Sequence, residues 1–393
     1  MINRLHSDYV EKLMKQFPVV ALLGPRQCGK TTLAKQFKKG NKKTTVYFDL
    51  ESPVDFQKFY DPQLFLTELE NDCVIIDEVQ RMPELFALLR HLVDSKKKAG
   101  RFLLLGSASP EMIKNVSETL AGRIAYIDTH PFNLTEIPLK TTTLQKHLYR
   151  GGFPDSFLAK NDVLQQNWMD NFVRTFIERD LNQLFGVTFS TNLMLRLWRM
   201  LAHYHGGIWN AQNFSKGLDV SPDTVNRYLD YLCGAFMVRK LPSFHFNSRK
   251  RLVKAPKVYI RDSGVVNYLL NIHKMSDLKY NPNIGNLWEG YVIEQILQLL
   301  PRTIQAYYYR THDGSEMDLV LVKGIHPLVS IEIKNSSSPS ITRSMTQSIE
   351  DLNTKQNFVI IPPTNTNYPL GKTIIACDLV TFISVFLSKI VKN

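Results

Sequence analysis

The chain has 393 residues, 44% hydrophobic and 21% charged, a globular composition long enough for two or three domains rather than one. A formal net charge of +12 favours polyanionic partners such as nucleic acid or an anionic membrane surface. Four cysteines (Cys28, Cys73, Cys233 and Cys377) form no C-x-x-C pair, which argues against a zinc site or a disulfide framework and suits a reducing compartment.

The opening segment, "MINRLHSDYVEKL", is polar and lacks the apolar centre of a signal peptide. No apolar run reaches membrane-span length, so a cytoplasmic chain without a membrane partner is expected. From Pro18 to about Ile127, short apolar runs alternate with helical segments. "VVALLG" (19–24), "TVYFDL" (45–50), "CVIIDE" (73–78), "RFLLLGS" (101–107) and "RIAYIDT" (123–129) predict buried parallel strands. "TTLAKQFKK" and "PELFALLRHLVDSKKK" carry helical spacing between them. The alternation predicts an α/β unit, a parallel sheet with helices on both faces, over residues 1–135.

Gly24, Pro25, Arg26, Gln27, Cys28, Gly29, Lys30 and Thr31 fit G-x-x-x-x-G-K-[ST], followed by Thr32. Glycines let backbone N–H groups wrap a phosphate, and the helix that opens near Lys30 turns its positive end toward the anion. Lys30 is expected on the β- and γ-phosphates and the Thr31 hydroxyl on Mg²⁺. "CVIIDEVQ" places Asp77 and Glu78 at the carboxyl end of a buried strand, where such sheets bind ligands. Asp77 is expected to hold the metal through water and Glu78 to polarise the attacking water. "LLLGSAS" offers Ser107 or Ser109 to the γ-phosphate, or else a hydroxyl that satisfies the loop backbone. No N-K-x-D guanine motif appears, so ATP is expected over GTP. Arg123 and Arg179 are candidate charge-neutralising arginines, though each reads more readily as a plain surface arginine or a structural ion pair.

Residues 136–204 predict a mostly helical connector broken by "RGGFPD". Within 205–256, "NAQNFSKGL" and "PDTVNRYLDYLCGAF" flank a short turn capped by Ser221 with Pro222 at the first helical position, the pattern of a winged helix-turn-helix. Val225, Tyr228, Leu229 and Leu232 form the buried face of the second helix. That leaves Asp223, Thr224, Asn226, Arg227 and Asp230 exposed. The run that follows has Arg239, Lys240, Arg249, Lys250, Arg251, Lys254 and Lys257 with no acid, interleaved with Phe244, His245 and Phe246. It suits phosphate contact with stacking, or a wing packed on a neighbouring domain.

Residues 257–393 predict a mixed α/β unit. "IGNLWEGYVIEQILQLL" reads as an amphipathic helix carrying Glu289 and Glu294. A strand pair turns at Asp313-Gly314 and brings Glu316 and Asp318. "PLVSIEIKNS" then puts Glu332 and Lys334 on one strand face, alternating with Ile331 and Ile333.

"GPRQCGKTTLA", "IIDEVQRMPELF", "GSAS", "LAGR", "GGFPD" and "ERDL", in that order, resemble the bacterial and archaeal AAA+-superfamily ATPases that carry an uncharacterised C-terminal domain. Leu105 departs from the threonine expected before "GS". The acid on a helix, "EMD" and "IEIK" resemble PD-(D/E)xK nucleases, with Met317 where a proline is usual. That resemblance implies Mg²⁺ on Glu289, Asp318 and Glu332, with Lys334 as the nuclease-like lysine. Together the two resemblances imply a Mg²⁺-dependent ATPase acting as a switch or motor on DNA or RNA. The alternative is an ATP-controlled switch for a protein partner or for its own oligomerisation, with a catalytically inactive C-terminal domain.

Overall fold

The computed structural model describes residues 2–41, 43–109, 120–138, 141–245, 250–364 and 367–392. Strands β1 (Val19–Leu23), β2 (Thr45–Asp49), β3 (Cys73–Asp77), β4 (Phe102–Gly106) and β5 (Ile124–Asp128) form one parallel sheet in the order β2-β3-β4-β1-β5. Val19 lies opposite both Phe102 and Ile124. Successive side chains point to opposite faces, so each central strand must be apolar throughout. Val19, Ala21, Val74 and Ile76 pack on Leu85 and Leu89 of helix Leu85–Ser95. Val20, Leu22 and Ile75 pack on Val10 of helix Ser7–Met14 and on Leu33 of helix Lys30–Gly40. All five expected strands are present to within a residue or two at each end. Because every strand runs the same way, the loops after their carboxyl ends gather along one edge of the sheet.

A helical unit follows, built from Thr141–Arg150, Asp162–Thr175, Thr191–His203, Ala211–Leu218 and Pro222–Gly234, with a π-helical turn at Phe176–Asp180. Asp219, at φ 57°, ends the fourth of these helices. Ser221 caps the fifth by accepting a hydrogen bond from the Thr224 N–H. Val225, Tyr228, Leu229 and Leu232 are buried, as their spacing predicts. Strand β6 (Val238–Leu241) pairs antiparallel with β7 (Lys257–Ile260). Val258, Ile260, Val265 and Val266 sit in one core with Phe172, Trp198 and Leu229. Residues 257–269 therefore belong with the helical unit, and the C-terminal unit starts near Ile284 rather than at 257.

That last unit is a six-stranded mixed sheet in the order β12-β13-β11-β10-β9-β8. Its strands are β8 (Ile304–Arg310), β9 (Glu316–Lys323), β10 (His326–Ile333), β11 (Gln356–Ile361), β12 (Tyr368–Pro369) and β13 (Ile374–Asp378). β8, β9 and β10 are antiparallel neighbours, whereas β10, β11 and β13 run parallel. Helix Ile284–Leu297 is buried on nearly every side rather than amphipathic. Trp288, Val292 and Ile296 face the core of this sheet. Glu294 and Gln295 face the other two units, Glu294 pairing with Arg239 and Arg261, and Gln295 accepting from the Leu134 N–H. No helix among the described residues is long and apolar enough to cross a membrane.

Candidate functional site

β1 ends in the loop 24–29 and β3 ends in Asp77-Glu78. β4, inserted between them, is followed directly by Ser107, so the three sequence signals meet at one edge of the sheet. Two glycines are required here, Gly24 by close approach of backbone and Gly29 by its left-handed φ. A Cβ on Gly24 would stand 2.2 Å from the Thr129 carbonyl oxygen, and one on Gly29 (φ +98°) would stand 2.5 Å from Arg4 Nη1. Gln27 and Glu78 also adopt left-handed backbone, φ 60° and 55°. For residues with a Cβ this costs on the order of 1 kcal/mol or more and tends to occur at functional positions.

Lys30 is 5% exposed. Its ammonium donates to the carbonyls of Gly24 (2.9 Å) and Pro25 (2.8 Å) and to Ser107 Oγ (3.1 Å). The Thr31 hydroxyl donates to Asp77 Oδ2 at 2.7 Å, and Tyr47 Oη donates to the same oxygen at 2.7 Å. Asp77 Oδ1 accepts from the Glu78 N–H at 2.9 Å. Ser107 Oγ lies 3.3 Å from Glu78 Oε1, and Gln80, part of the sequence motif but without a role there, donates to Glu78 and accepts from the Ser107 N–H. Burial lifts the Glu78 carboxyl above its usual range; Lys30 opposes this and Asp77 adds to it. The fit to a Mg²⁺-nucleotide is chemical: a glycine cradle at a helix start, a lysine behind it, and a hydroxyl touching a carboxylate where the metal would bind. Thr32 is exposed on the first helical turn.

Arg26 and Cys28 tie this loop to the rest of the chain. Arg26 donates to Asp180 (2.7 Å), on the π-helical turn of the helical unit, and to Glu51 (2.5 Å). Arg4 holds the Cys28 carbonyl at 2.6 Å, the His130 carbonyl at 2.5 Å and the Glu136 carboxylate at 2.8 Å. The π-turn matters because such turns recur at functional positions in helices.

The candidate arginines fare differently. Arg123 stands just before β5, at the amino edge of the sheet and away from the loop. There it makes an exposed bidentate pair with Asp94 at 2.6 and 3.0 Å. The structure does not bring it to Lys30 and Glu78, because a residue that enters a parallel strand lies at the end opposite the ligand edge. Arg179 is more than half exposed and reaches Asp180 at 3.2 Å. Ser109 donates its backbone N–H to the Gly234 carbonyl.

The basic stretch after the helical pair is largely paired with acids, although of its described cations only Lys257 is buried and Arg239 half-buried. Arg239 is paired with Glu294 (2.7 Å), Lys240 with Asp230, and Lys250 with Asp351 (2.7 Å). Phe244 is buried in the C-terminal core, and Asn226 accepts from Trp209 Nε1 at 2.9 Å. Arg251 and Lys254 are exposed, while Phe246 and Arg249 lie outside the described residues. The charge run was legible in the sequence; that Glu294 and Asp351, far along the chain, neutralise part of it was not.

In the C-terminal unit Glu289, Asp318, Glu332 and Lys334 do line one cavity, of about 660 Å³, together with Glu316, Arg310 and Lys257. Lys334 pairs with Glu332 Oε1 at 2.6 Å, Glu332 Oε2 is buried without a hydrogen-bond partner, and Asp318 Oδ2 accepts from the Ile333 N–H at 2.8 Å. Burial and the neighbouring acids Glu289 and Glu332 push Asp318 well above the usual carboxylate range; burial also raises Glu332, against the pull of Lys334. Yet among the described residues no three ligating side chains are arranged to hold a metal ion. The metal implied for Glu289, Asp318 and Glu332 does not fit the arrangement, since the Lys257 ammonium stands between two of those acids. It lies 3.0 Å from Glu289, 2.8 Å from Glu316 and 3.7 Å from Asp318.

The parallel sheet with its glycine loop and opposed acids defines an ATP-binding protein of the P-loop AAA type. Comparison with known proteins places it further. Residues 16–138 match the AAA domain, 141–276 the domain of unknown function DUF8612, and 284–382 the domain of unknown function DUF4143, spans that follow the three structural units. An uncharacterized protein of Mycobacterium tuberculosis is 41% identical over 367 residues, covering 93% of this chain and 81% of that protein. One of Haemophilus influenzae is 22% identical, over 76% of this chain and 79% of that protein. Among solved structures, the Walker-type ATPase PABY2304 of Pyrococcus abyssi is similar at 17% identity and a TM-score of 0.45, over 69% of this chain and 96% of that one. The chain belongs to the family of the mycobacterial protein.

Proposed function

We propose that this protein is a Mg²⁺-dependent ATPase that works as a switch, its nucleotide state being passed to the helical and C-terminal units. The observation that carries the reading is the contact of Lys30, Ser107 and Glu78, beside the Thr31–Asp77 pair, at one edge of the sheet. Thr31 would ligate Mg²⁺ directly and Asp77 through water; bound there, the metal would neutralise charge on the β- and γ-phosphate oxygens. Lys30 would exchange the carbonyls of Gly24 and Pro25 for phosphate oxygens. Glu78, held by Gln80 and raised by burial, is suited to accept a proton from water. Arg26 sits in the loop but is turned to Asp180 and Glu51. A γ-phosphate would compete with Asp180 for that guanidinium and so loosen the tie to the helical unit.

A second reading, action on nucleic acid, is favoured by the net charge of +12 and by Glu289, Asp318, Glu332 and Lys334 lining one cavity. Against it stand the internal pairing of Arg239, Lys240, Lys250 and Lys257 and the misfit of a metal. ATP turnover measured with no addition, duplex DNA, single-stranded DNA or RNA separates the two, with Lys30→Ala as control. Turnover indifferent to every nucleic acid supports a switch for a protein partner or for assembly. Salt-sensitive stimulation supports the second reading. No Mg²⁺-dependent turnover under any condition refutes both.

A further inference from the structure

Lys257 is charged, 4% exposed and surrounded by acids, and it comes from β7 of the helical unit rather than from the unit that supplies the acids. Its ammonium lies within 3.0 Å of Glu289 Oε1 and Glu316 Oε1 and 3.7 Å from Asp318 Oδ1. Tyr259, two residues along the same strand, donates to the same Glu289 oxygen at 2.6 Å, which fixes that carboxylate against β7. Glu316 is held from its other oxygen by Arg310 at 2.7 Å. Among the described residues lining the cavity, the buried side-chain oxygen without a hydrogen-bond partner is Glu332 Oε2, on a side chain 9% exposed. Spacings of 2.8 to 3.7 Å around a central nitrogen suit an ammonium. A Mg²⁺ ion needs oxygens at roughly 2.1 Å in near-octahedral array. A divalent ion beside the buried Lys257 ammonium would meet a like charge at short range.

We infer that Lys257 is the built-in cation of the C-terminal acid cavity: it takes the place of a divalent metal among Glu289, Glu316 and Asp318, and the cavity binds such a metal only when that ammonium is removed. The lysine is a lock delivered by the neighbouring unit. Four residues beyond it, Arg261 pairs with Glu294 (2.9 Å), on the same helix as Glu289, and with His130 Nδ1 (3.0 Å). The His130 carbonyl is held by the same Arg4 that holds the nucleotide loop at Cys28. The strand that delivers the lock is thus connected to the nucleotide site through buried polar contacts. The inference itself does not depend on ATP hydrolysis, and its test contains no nucleotide.

The test is a Mn²⁺ titration, by calorimetry and by the electron paramagnetic signal of free Mn²⁺, on the full chain as wild type, Lys257→Met, Lys257→Arg and Lys257→Met/Glu289→Gln. Lys257→Met should gain one Mn²⁺ equivalent bound at least roughly tenfold tighter than anything in wild type, a difference of about 1.4 kcal/mol. Lys257→Arg should gain none, because the charge stays, and the double variant should lose what the single variant gained. A folded Lys257→Met with the wild-type isotherm overturns the inference. Should Lys257→Met fail to fold, wild type and Glu289→Gln decide it. Equal isotherms support the lock, and a stoichiometric wild-type site that Glu289→Gln removes overturns it.

Discussion

Replacing Asp180 with alanine should tighten ATP binding. Asp180 is 4% exposed and accepts from Arg26 Nη1 at 2.7 Å; its only other side-chain partner among the described residues is the exposed Arg179. If the γ-phosphate must take Arg26 away from Asp180, the energy of that charge-assisted bond is lost on binding. Hydrogen bonds to charged groups contribute about 1.5–3 kcal/mol. The lower end applies here, because Glu51 still holds the second arm of Arg26 at 2.5 Å. Removing the competitor should therefore lower the dissociation constant for ATP about tenfold, while ADP, without a γ-phosphate, should change little. The assay is equilibrium titration with a fluorescent ATP analogue and Mg²⁺ in a Glu78→Gln background, which slows turnover, repeated with the ADP analogue. An unchanged or weakened ATP affinity, or an equal gain for ADP, would refute the competition between Asp180 and the γ-phosphate.

Other outcomes follow from particular contacts. Glu294→Gln leaves the partly buried Arg239 and Arg261 without their shared, buried carboxylate; urea denaturation should show a loss of about 3 kcal/mol, the lower end for a buried pair because both guanidiniums keep some contact with solvent. In the native protein burial would raise the Glu294 carboxyl, but Arg239 and Arg261 overcome it and hold the group well below its ordinary 4.5. Its contribution is therefore present above pH about 4.5 and lost as pH falls below that value, so wild type should lose its advantage over Glu294→Gln in acid. Ser107→Ala removes contacts to Lys30 and Glu78 and should lower ATP turnover about tenfold, one hydrogen bond's worth, with stability nearly unchanged. Arg123→Ala loses an exposed pair with Asp94 and should cost less than about 1 kcal/mol, with turnover at the wild-type level. A turnover loss above tenfold would place Arg123 in the site of a neighbouring copy.

The N-terminal unit was legible because a parallel sheet covered on both faces writes each central strand as an unbroken apolar run, and "GPRQCGKTT" and "CVIIDE" end two of those runs. What the residues at the loop touch was less visible. Arg26 reads as one more loop residue until Asp180, 154 positions away, is seen to hold it. Arg123 stood out through the order of motifs, and only the strand direction reveals which end of the sheet it occupies. In the sequence Lys257 is one cation in a basic run. A lysine's type and neighbours in sequence say nothing about acids on β9 and on helix Ile284–Leu297, and only folding shows that it is neutralised inside. The same holds for the helix bearing Glu294, whose polar residues read as a solvent face and instead bind two other units.

The central claim, that the loop and its acids hydrolyse ATP, is tested most directly by single-turnover hydrolysis with excess protein over radiolabelled ATP and Mg²⁺, comparing wild type with Glu78→Gln. Glu78 lies beside Ser107 and Lys30 and is assigned to accept the proton of the attacking water. A positioned base contributes about 10²–10⁴-fold. Glu78→Gln should bind ATP at least as well as wild type and cleave it about a hundredfold or more slowly. Cleavage by Glu78→Gln at the wild-type rate would contradict it.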